Sequence, residues 1–302
     1  MNDPETQPVS GDAWVYAPDG RRMWGRYGAA GLALVDRERG MLLQHRAAWS
    51  HFGNTWGIPG GARDRDESPV EAAQRESREE LAVPADVADP VATRILDLDF
   101  WSYTTLVAHT RYPFEPEITD AESAGAEWVA LDALHDRPLH PGFAASLPDL
   151  TPVLQHRPVL VVDVANVMGT VADGWWRDRA SAATRLLPQL ARLAAAGVPA
   201  DLVGLQLDRI WPQLELVVEG EAQAAAADAC AQLDEATASR VHIVSAPGHG
   251  DDEIVTTVER ERAAHPGGVV ALVSADHELH LRAGTTTIVS PAKLRALANP
   301  NQ

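Results

Sequence analysis

Five glutamates crowd one short stretch of this 302-residue chain: Glu67, Glu71, Glu76, Glu79 and Glu80 in "GARDRDESPVEAAQRESREELAV", residues 61–83. Carboxylates that close repel one another, so their spacing needs a cause. Pro69 to Leu81 reads as a helix: Ser68 or Glu67 can cap it, Pro69 suits the first turn, and Pro84 ends it. On a helix Glu76, Glu79 and Glu80 stand at i, i+3 and i+4, so all three face one way. That arrangement costs a bare helix a few tenths of a kcal/mol per pair. A divalent cation turns the cost into a binding site, since Mg²⁺ takes carboxylate oxygens and keeps several waters. Arg75, four residues before Glu79, can hold that carboxylate in position. From the triplet alone, a solvated acidic helix is the commoner explanation.

The wider spacing reverses that preference. Gly61 is followed after five residues by Glu67, after seven more by Arg75-Glu76, and then by Glu79-Glu80. This resembles the Nudix box of the Nudix hydrolases. The upstream "WGIPGG" (56–61) resembles the family's lead-in, and "EWVAL" (127–131) resembles the strand that closes its sheet. Ser77 stands where the family has an apolar residue, and Ala82 where it has glycine. Alanine in the left-handed conformation at a helix end costs of order 1 kcal/mol. The resemblance implies a Nudix-type α/β/α sandwich with a mixed sheet, and a metal-dependent hydrolase of a nucleotide diphosphate linkage. It assigns Arg75, Glu76, Glu79 and Glu80 to catalysis, and Gly60, Glu76, Glu79 and Glu80 to Mg²⁺ or Mn²⁺. Gly61 and Arg46 become candidate substrate contacts, and Glu67 a bracing residue or outer ligand. Trp49, Phe52, Trp56 and Trp101 can stack a base, although core packing suits most of them better.

The elements around the box read as strands: "GLALVD" (31–36) and "GMLLQHR" (40–46) as a hairpin turned by "RERG", then "ILDLDFWSYTTLVAHT" (95–110) and "AEWVAL" (126–131). Residues 132–157 carry Pro138, Pro141, Pro148 and Pro152 without evident apolar periodicity, and read as a boundary between domains at 1–150 and 157–302. In the second half, valine-rich runs at 158–163, 214–220, 241–246, 269–276 and 286–290 alternate with helical stretches at about 178–196, 221–238, 252–264 and 291–298. Such alternation predicts a mainly parallel sheet covered on both faces.

Asp163, Glu219 and Asp276 fall at or just past strand ends, and Asp251 and Asp252 follow "PGHG" at another strand exit. Strand ends of a parallel sheet share one rim, so these acids suggest a second metal site, although any one of them alone is explained as a helix cap. "VVDVANVMG" (161–169), "GDDEIV" (250–255) and "SADHEL" (274–279) resemble the NYN domain, a PIN-like nuclease with a three-layer α/β/α fold. That resemblance implies metal at Asp163, Glu219, Asp251, Asp252 and Asp276, with Asn166 as a substrate contact. Val164 departs from the glycine often found after the first Asp. "GWWRDR" (174–179) offers aromatic and cationic contacts to a nucleic-acid strand, or braces the first helix. His249, His277 and His280 read as solvated or supporting residues.

Composition bounds the rest. Apolar residues make 45% and charged residues 23%, normal for a soluble globular protein. The net charge is −18, divided −12 and −6 between the halves, which disfavours broad nucleic-acid coating and weakens an RNA partner without excluding it. The single cysteine, Cys230, excludes an internal disulfide framework and fits a reducing cytosol. The polar start and the lack of an apolar run near ~20 residues predict a cytoplasmic chain with no membrane partner. Three functions follow: a Nudix hydrolase acting on a nucleotide-type small molecule beside a NYN-like domain, an RNA-processing protein, and a non-catalytic nucleotide sensor. The intact Arg-Glu-x-x-Glu-Glu favours the first, because a sensor has no need of a charge cluster that strains its own helix.

Overall fold

The computed structural model describes residues 9–171, 175–223, 226, 233–284 and 287–299. The chain divides into two compact units, Met1–Gln155 and His156–Gln302. Cys230, Gly174, Thr286 and the middle of the helix expected at 221–238 lie outside the described residues. Among the described residues no helix is long and apolar enough to cross a membrane.

The first unit is built on β3 (Ala29–Asp36), buried along its whole length as a strand covered on both faces must be. It turns antiparallel into β4 (Gly40–Arg46), pairing Val35 with Met41, as the hairpin reading requires. Its other edge runs parallel to β8 (Ser102–Thr110), which returns antiparallel to β7 (Ala88–Asp97). β5 (Trp56–Gly57) and β9 (Ser123–Val129) add to β4, and β6 (Gly60–Ala62) adds to β3. The mixed sheet thus follows expectation, but β7 starts seven residues earlier than its sequence suggests. Pro90 disguises that start, and the register shifts between Pro90 and Ala92, where a proline cannot donate to the ladder.

α1 (Pro69–Leu81) packs on β3, β6 and β8. Ser68 caps it by accepting from the Glu71 N–H, and Glu71 returns a bond to the Ser68 N–H, a full capping box. Ser77, unusual for its place in the box, is fully buried and donates its hydroxyl to the Gln74 carbonyl at 3.0 Å. Ala82 ends the helix at φ 52°, ψ 31°, the left-handed cap that glycine prefers. The exposed carbonyls of the last turn are taken by a distant segment: Thr119 Oγ1 bonds Glu79 O, Thr119 N bonds Glu80 O, and Glu117 N bonds Leu81 O.

The proline-rich stretch at 132–157 is not an extended linker. It holds a 3-10 turn (Leu131–Asp136) and α2 (Pro141–Leu154), which packs on β7 and β8. Phe143, Leu147, Leu150, Val153 and Leu154 are buried, a helical stripe that Pro148 and Pro152 mask in the sequence. A short hairpin, β1 (Trp14–Tyr16) with β2 (Arg22–Trp24), also escapes sequence reading because each strand has three residues.

The second unit carries a wholly parallel five-stranded sheet: β10 (Val159–Asp163), β13 (Gln213–Val218), β14 (Val241–Ser245), β15 (Val270–Val273) and β16 (Thr287–Val289). Their order is β14-β13-β10-β15-β16, so the direction of winding reverses between β10 and β15. β11 (Val198–Pro199) and β12 (Arg209–Ile210) form a small antiparallel pair. The helices are α3 (Val164–Met168), α4 (Arg179–Ala196), α5 (Glu235–Ala238), α6 (Gly250–Ala264), α7 (His277–Ala283) and α8 (Pro291–Ala298). Val159, Val161, Leu272, Ile254 and Val258 form the core between sheet and α6.

Ala82→Gly tests the cost carried by the α1 cap. The variant is expected to gain about 0.5–1 kcal/mol, read as a higher urea midpoint at constant slope; an unmoved or lower midpoint contradicts the strain.

Candidate active site

Arg75 organises the glutamates. Its five N–H donors make five bonds: Nε to Glu67 Oε1 (2.8 Å), Nη2 to Glu67 Oε2 (3.0 Å) and Ala62 O (2.8 Å), and Nη1 to Glu76 Oε1 (2.8 Å) and Glu79 Oε2 (3.0 Å). The bonds it donates to Glu67 raise the guanidinium further above its already high value, outweighing burial. The same pairing, again over the cost of burial, holds the Glu67 carboxyl below its ordinary range, helped by the Asp64 N–H. Both Glu67 oxygens are thus committed to hydrogen bonds within the protein.

The three other carboxylates differ in surroundings. Glu79 is 59% exposed at its side chain and rests on Arg75. Glu76 is half-buried, and desolvation pushes its carboxyl up despite Arg75. Glu80 is 8% exposed, and burial raises it to about 8 against the pull of Gln44 and the Gly60 N–H. That N–H donates to Glu80 Oε2 at 2.8 Å. Asp12 adds negative charge near Glu76 and Asp120 near Glu80.

Close approach explains the paired glycines. A Cβ on Gly60 would meet Ala30 O at 2.4 Å, and one on Gly61 would meet Glu76 Oε2 at 2.6 Å. Both line a cavity of about 250 Å³ whose walls include Trp14, Trp24, Phe52, Trp101 and Tyr103. Arg46, a sequence candidate, lines it too and donates from Nε to His51 O.

Comparison with known proteins fits this geometry. The NUDIX domain family model matches residues 25–150. Over 146 residues the chain is 47% identical to the "Putative 8-oxo-dGTP diphosphatase 3" of Mycobacterium tuberculosis, covering 45% of this chain and 67% of that protein. The chain belongs to the Nudix family. It is also 40% identical over 155 residues to a "Nucleoside triphosphate pyrophosphatase/Nudix hydrolase fusion protein" of Bifidobacterium longum, covering 46% of this chain and 32% of that one. A crystal structure of a Nudix hydrolase from M. smegmatis, RenU, shares 43% identity over 47% of this chain and 93% of its own, with a TM-score of 0.43. With the family comes the enzyme class: a Nudix pyrophosphohydrolase, acting on phosphoric anhydrides.

Among the described residues, no three His, Cys, Asp or Glu side chains already stand close enough together to hold a metal ion. The Nudix carboxylates nonetheless suit one chemically. Glu76 and Glu80 are hard oxygen donors, buried at a cost that shows in their raised pKa, and a nearby cation would relieve it. Glu79 shares the Arg75 guanidinium with Glu76.

Of the four aromatic candidates, Phe52 and Trp101 line the Nudix cavity, Trp101 donating Nε1 to Trp24 O at 2.9 Å. Trp56 instead stacks on His45 with centroids 4.7 Å apart, and Trp49 lies exposed outside the cavity. Trp14, Trp24, Tyr103 and His140 were not legible as site residues, since nothing local marks them and tertiary pairing alone brings them in.

In the second unit, Asp163, Asn166, Glu219, Asp251 and Asp276 line one cleft of about 510 Å³. It opens where the winding reverses, at the carboxyl ends of β10 and β15. Asp163 is 8% exposed; burial raises its carboxyl, while Oδ1 accepts from the Asn166 N–H and Oδ2 from Ser274 Oγ. Asn166 Oδ1 accepts from the Ala275 N–H, and Asp276 caps α7. Arg179 reaches Glu219 at 3.6 Å. Asp252 departs from the expected set: it pairs with Arg282 and does not line the cleft, because α6 turns it aside. His249, His277 and His280 also stay out of the lining, His280 donating to Ser274 O. Trp175 lines the cleft, whereas Trp176 is exposed.

Gly61→Ala is expected to leave the Nudix unit folded, since the atom it meets is the end of a side chain, and to displace Glu76. Turnover should fall by up to about 100-fold at an unchanged melting temperature. Full turnover would show that Glu76 need not sit there.

Proposed function

We propose that the Nudix unit hydrolyses a nucleoside triphosphate, or a nucleoside diphosphate joined to another group, with Mg²⁺ or Mn²⁺ held by Glu76, Glu79 and Glu80. One observation carries this reading. Two carboxylates buried at a cost, Glu76 and Glu80, stand against Gly60 and Gly61, which also line an aromatic-walled cavity. The substrate class agrees with what the relatives' names say those proteins act on, 8-oxo-dGTP and nucleoside triphosphates.

The chain's own residues then have distinct tasks. Arg75 fixes Glu76 and Glu79 with directed bonds and keeps α1 against β6 through Ala62 O. The Gly60 N–H fixes Glu80. Phe52, Trp24 and Trp101 bury a base and shed water, and Arg46 offers a cation to a phosphate. A bound divalent ion supplies the activation of water and the neutralisation of phosphoryl charge.

Purified protein is expected to release phosphate-containing products from a nucleoside triphosphate only with Mg²⁺ or Mn²⁺. Glu80→Gln should lower kcat more than about 100-fold with the fold kept, as judged by circular dichroism. Turnover in chelator, or an undiminished variant, refutes the site.

For the second unit we infer a metal-dependent phosphodiester hydrolase of the NYN or PIN-like kind. The supporting observation is that five predicted residues from separate elements line one cleft at the strand-order reversal. Full-length protein should bind Mn²⁺ at a second site and nick single-stranded RNA, and Asp163→Asn should remove both. A wild-type protein doing neither overturns this reading.

A further inference from the structure

We propose that His140 sets base specificity in the Nudix cavity by donating a hydrogen bond from Nε2 to the carbonyl oxygen of a 6-oxopurine. This rests on the hydrolase reading above and names which base the cavity takes.

The geometry fixes the donor. His140 precedes α2 as its N-cap, and its Nδ1 accepts from the Gly142 N–H at 3.2 Å. A nitrogen that accepts carries no proton, so the neutral ring holds its proton on Nε2. The main chain is pinned on both sides, since His140 N bonds Trp56 O at 2.7 Å and Trp56 N bonds Pro138 O at 2.8 Å. Phe52 meets the ring edge-on at 4.7 Å. His140 lines the cavity, and no described residue accepts from its Nε2–H.

Two further facts keep the ring neutral. Burial lowers its pKa to about 4, aided by the positive charges of Arg46 and His51. The amino end of α2 also disfavours a cation there. The donor is thus present throughout the physiological range.

The cavity walls agree with the choice of base. Among the described residues lining it, none is a carboxylate or a side-chain amide. The charged groups are Arg22, Arg46 and Arg94, all donors. A carbonyl at purine C6 matches such walls, whereas the amino group of adenine would set donor against donor. A site built to bond one group rejects an analogue lacking it, because the polar partner is left unpaired.

The test uses inosine and adenosine nucleotides, which differ only at the N1–C6 edge. Binding of IMP and AMP to the full chain is read by tryptophan quenching, and ITP and ATP hydrolysis by kcat/KM. Wild type is expected to favour the inosine member by about tenfold or more in both assays. Asn is a strong N-cap, so His140→Asn keeps α2 capped and the melting temperature near wild type. It cannot both cap and reach the base, so the preference should collapse towards one. His140→Gln, with a longer donor, should restore part of it. Equal affinity of wild type for IMP and AMP, binding of neither, or an undiminished preference in His140→Asn overturns the inference. Should binding discriminate while no anhydride is cleaved, the hydrolase reading fails and the base assignment stands.

Discussion

The first unit depends on how one guanidinium is shared. Arg75 satisfies both oxygens of Glu67 and one each of Glu76 and Glu79, and spends its last donor on the Ala62 carbonyl. Without it, four carboxylates would face one another across one helix and the adjoining loop. With it, their repulsion is partly cancelled and α1 is clamped to β6. A lysine could not substitute, since a point charge on a flexible stem lacks the planar fork that reaches four groups at once. Arg75 leaves Glu80 alone, and that carboxylate has the largest upward shift among the site acids. The electrostatic deficit is therefore concentrated where the aromatic cavity begins.

The second unit gathers acids by another route. Asp163 and Asp276 each cap the helix that follows their strand, so backbone N–H groups hold them in place. Both strands end on one rim, next to the reversal in winding, and Glu219 and Asp251 arrive there from neighbouring connections. Here the sheet supplies the convergence that a helix face supplies in the first unit. Arg179 and Arg282 temper the charge from outside.

What the sequence makes legible follows from how local the cause is. α1 can be read to the residue because its cap, its first-turn proline and its glutamate spacing all lie within sixteen positions. The parallel strands of the second unit are legible as valine runs, since strands buried on both faces need no polar alternation. α2 was hidden because Pro148 and Pro152 argue against a helix interior, and packing of Phe143, Leu147 and Leu150 overrides them. Trp14, Trp24 and His140 were hidden for a different reason. Their roles arise from pairings with residues far along the chain, and no short window records those. Asp252 shows the converse limit: proximity to Asp251 in sequence placed it on the rim, but successive helical residues point about 100° apart.

A chain of net charge −18 that takes a polyanionic nucleotide must reverse its own field locally. The first unit does so by distributing its arginines unevenly. Arg22, Arg46 and Arg94 reach the cavity wall, with Arg94 also paired to Asp149 at 2.7 Å and Arg46 lying 3.8 Å from Glu122, while Arg75 is consumed by the glutamates. Glu76, Glu79 and Glu80 would hold a divalent cation, which would supply a counter-charge to the phosphates. The acidic remainder of the surface has its own effect. It weakens non-specific adhesion of long nucleic acids, whose many phosphates meet that surface together.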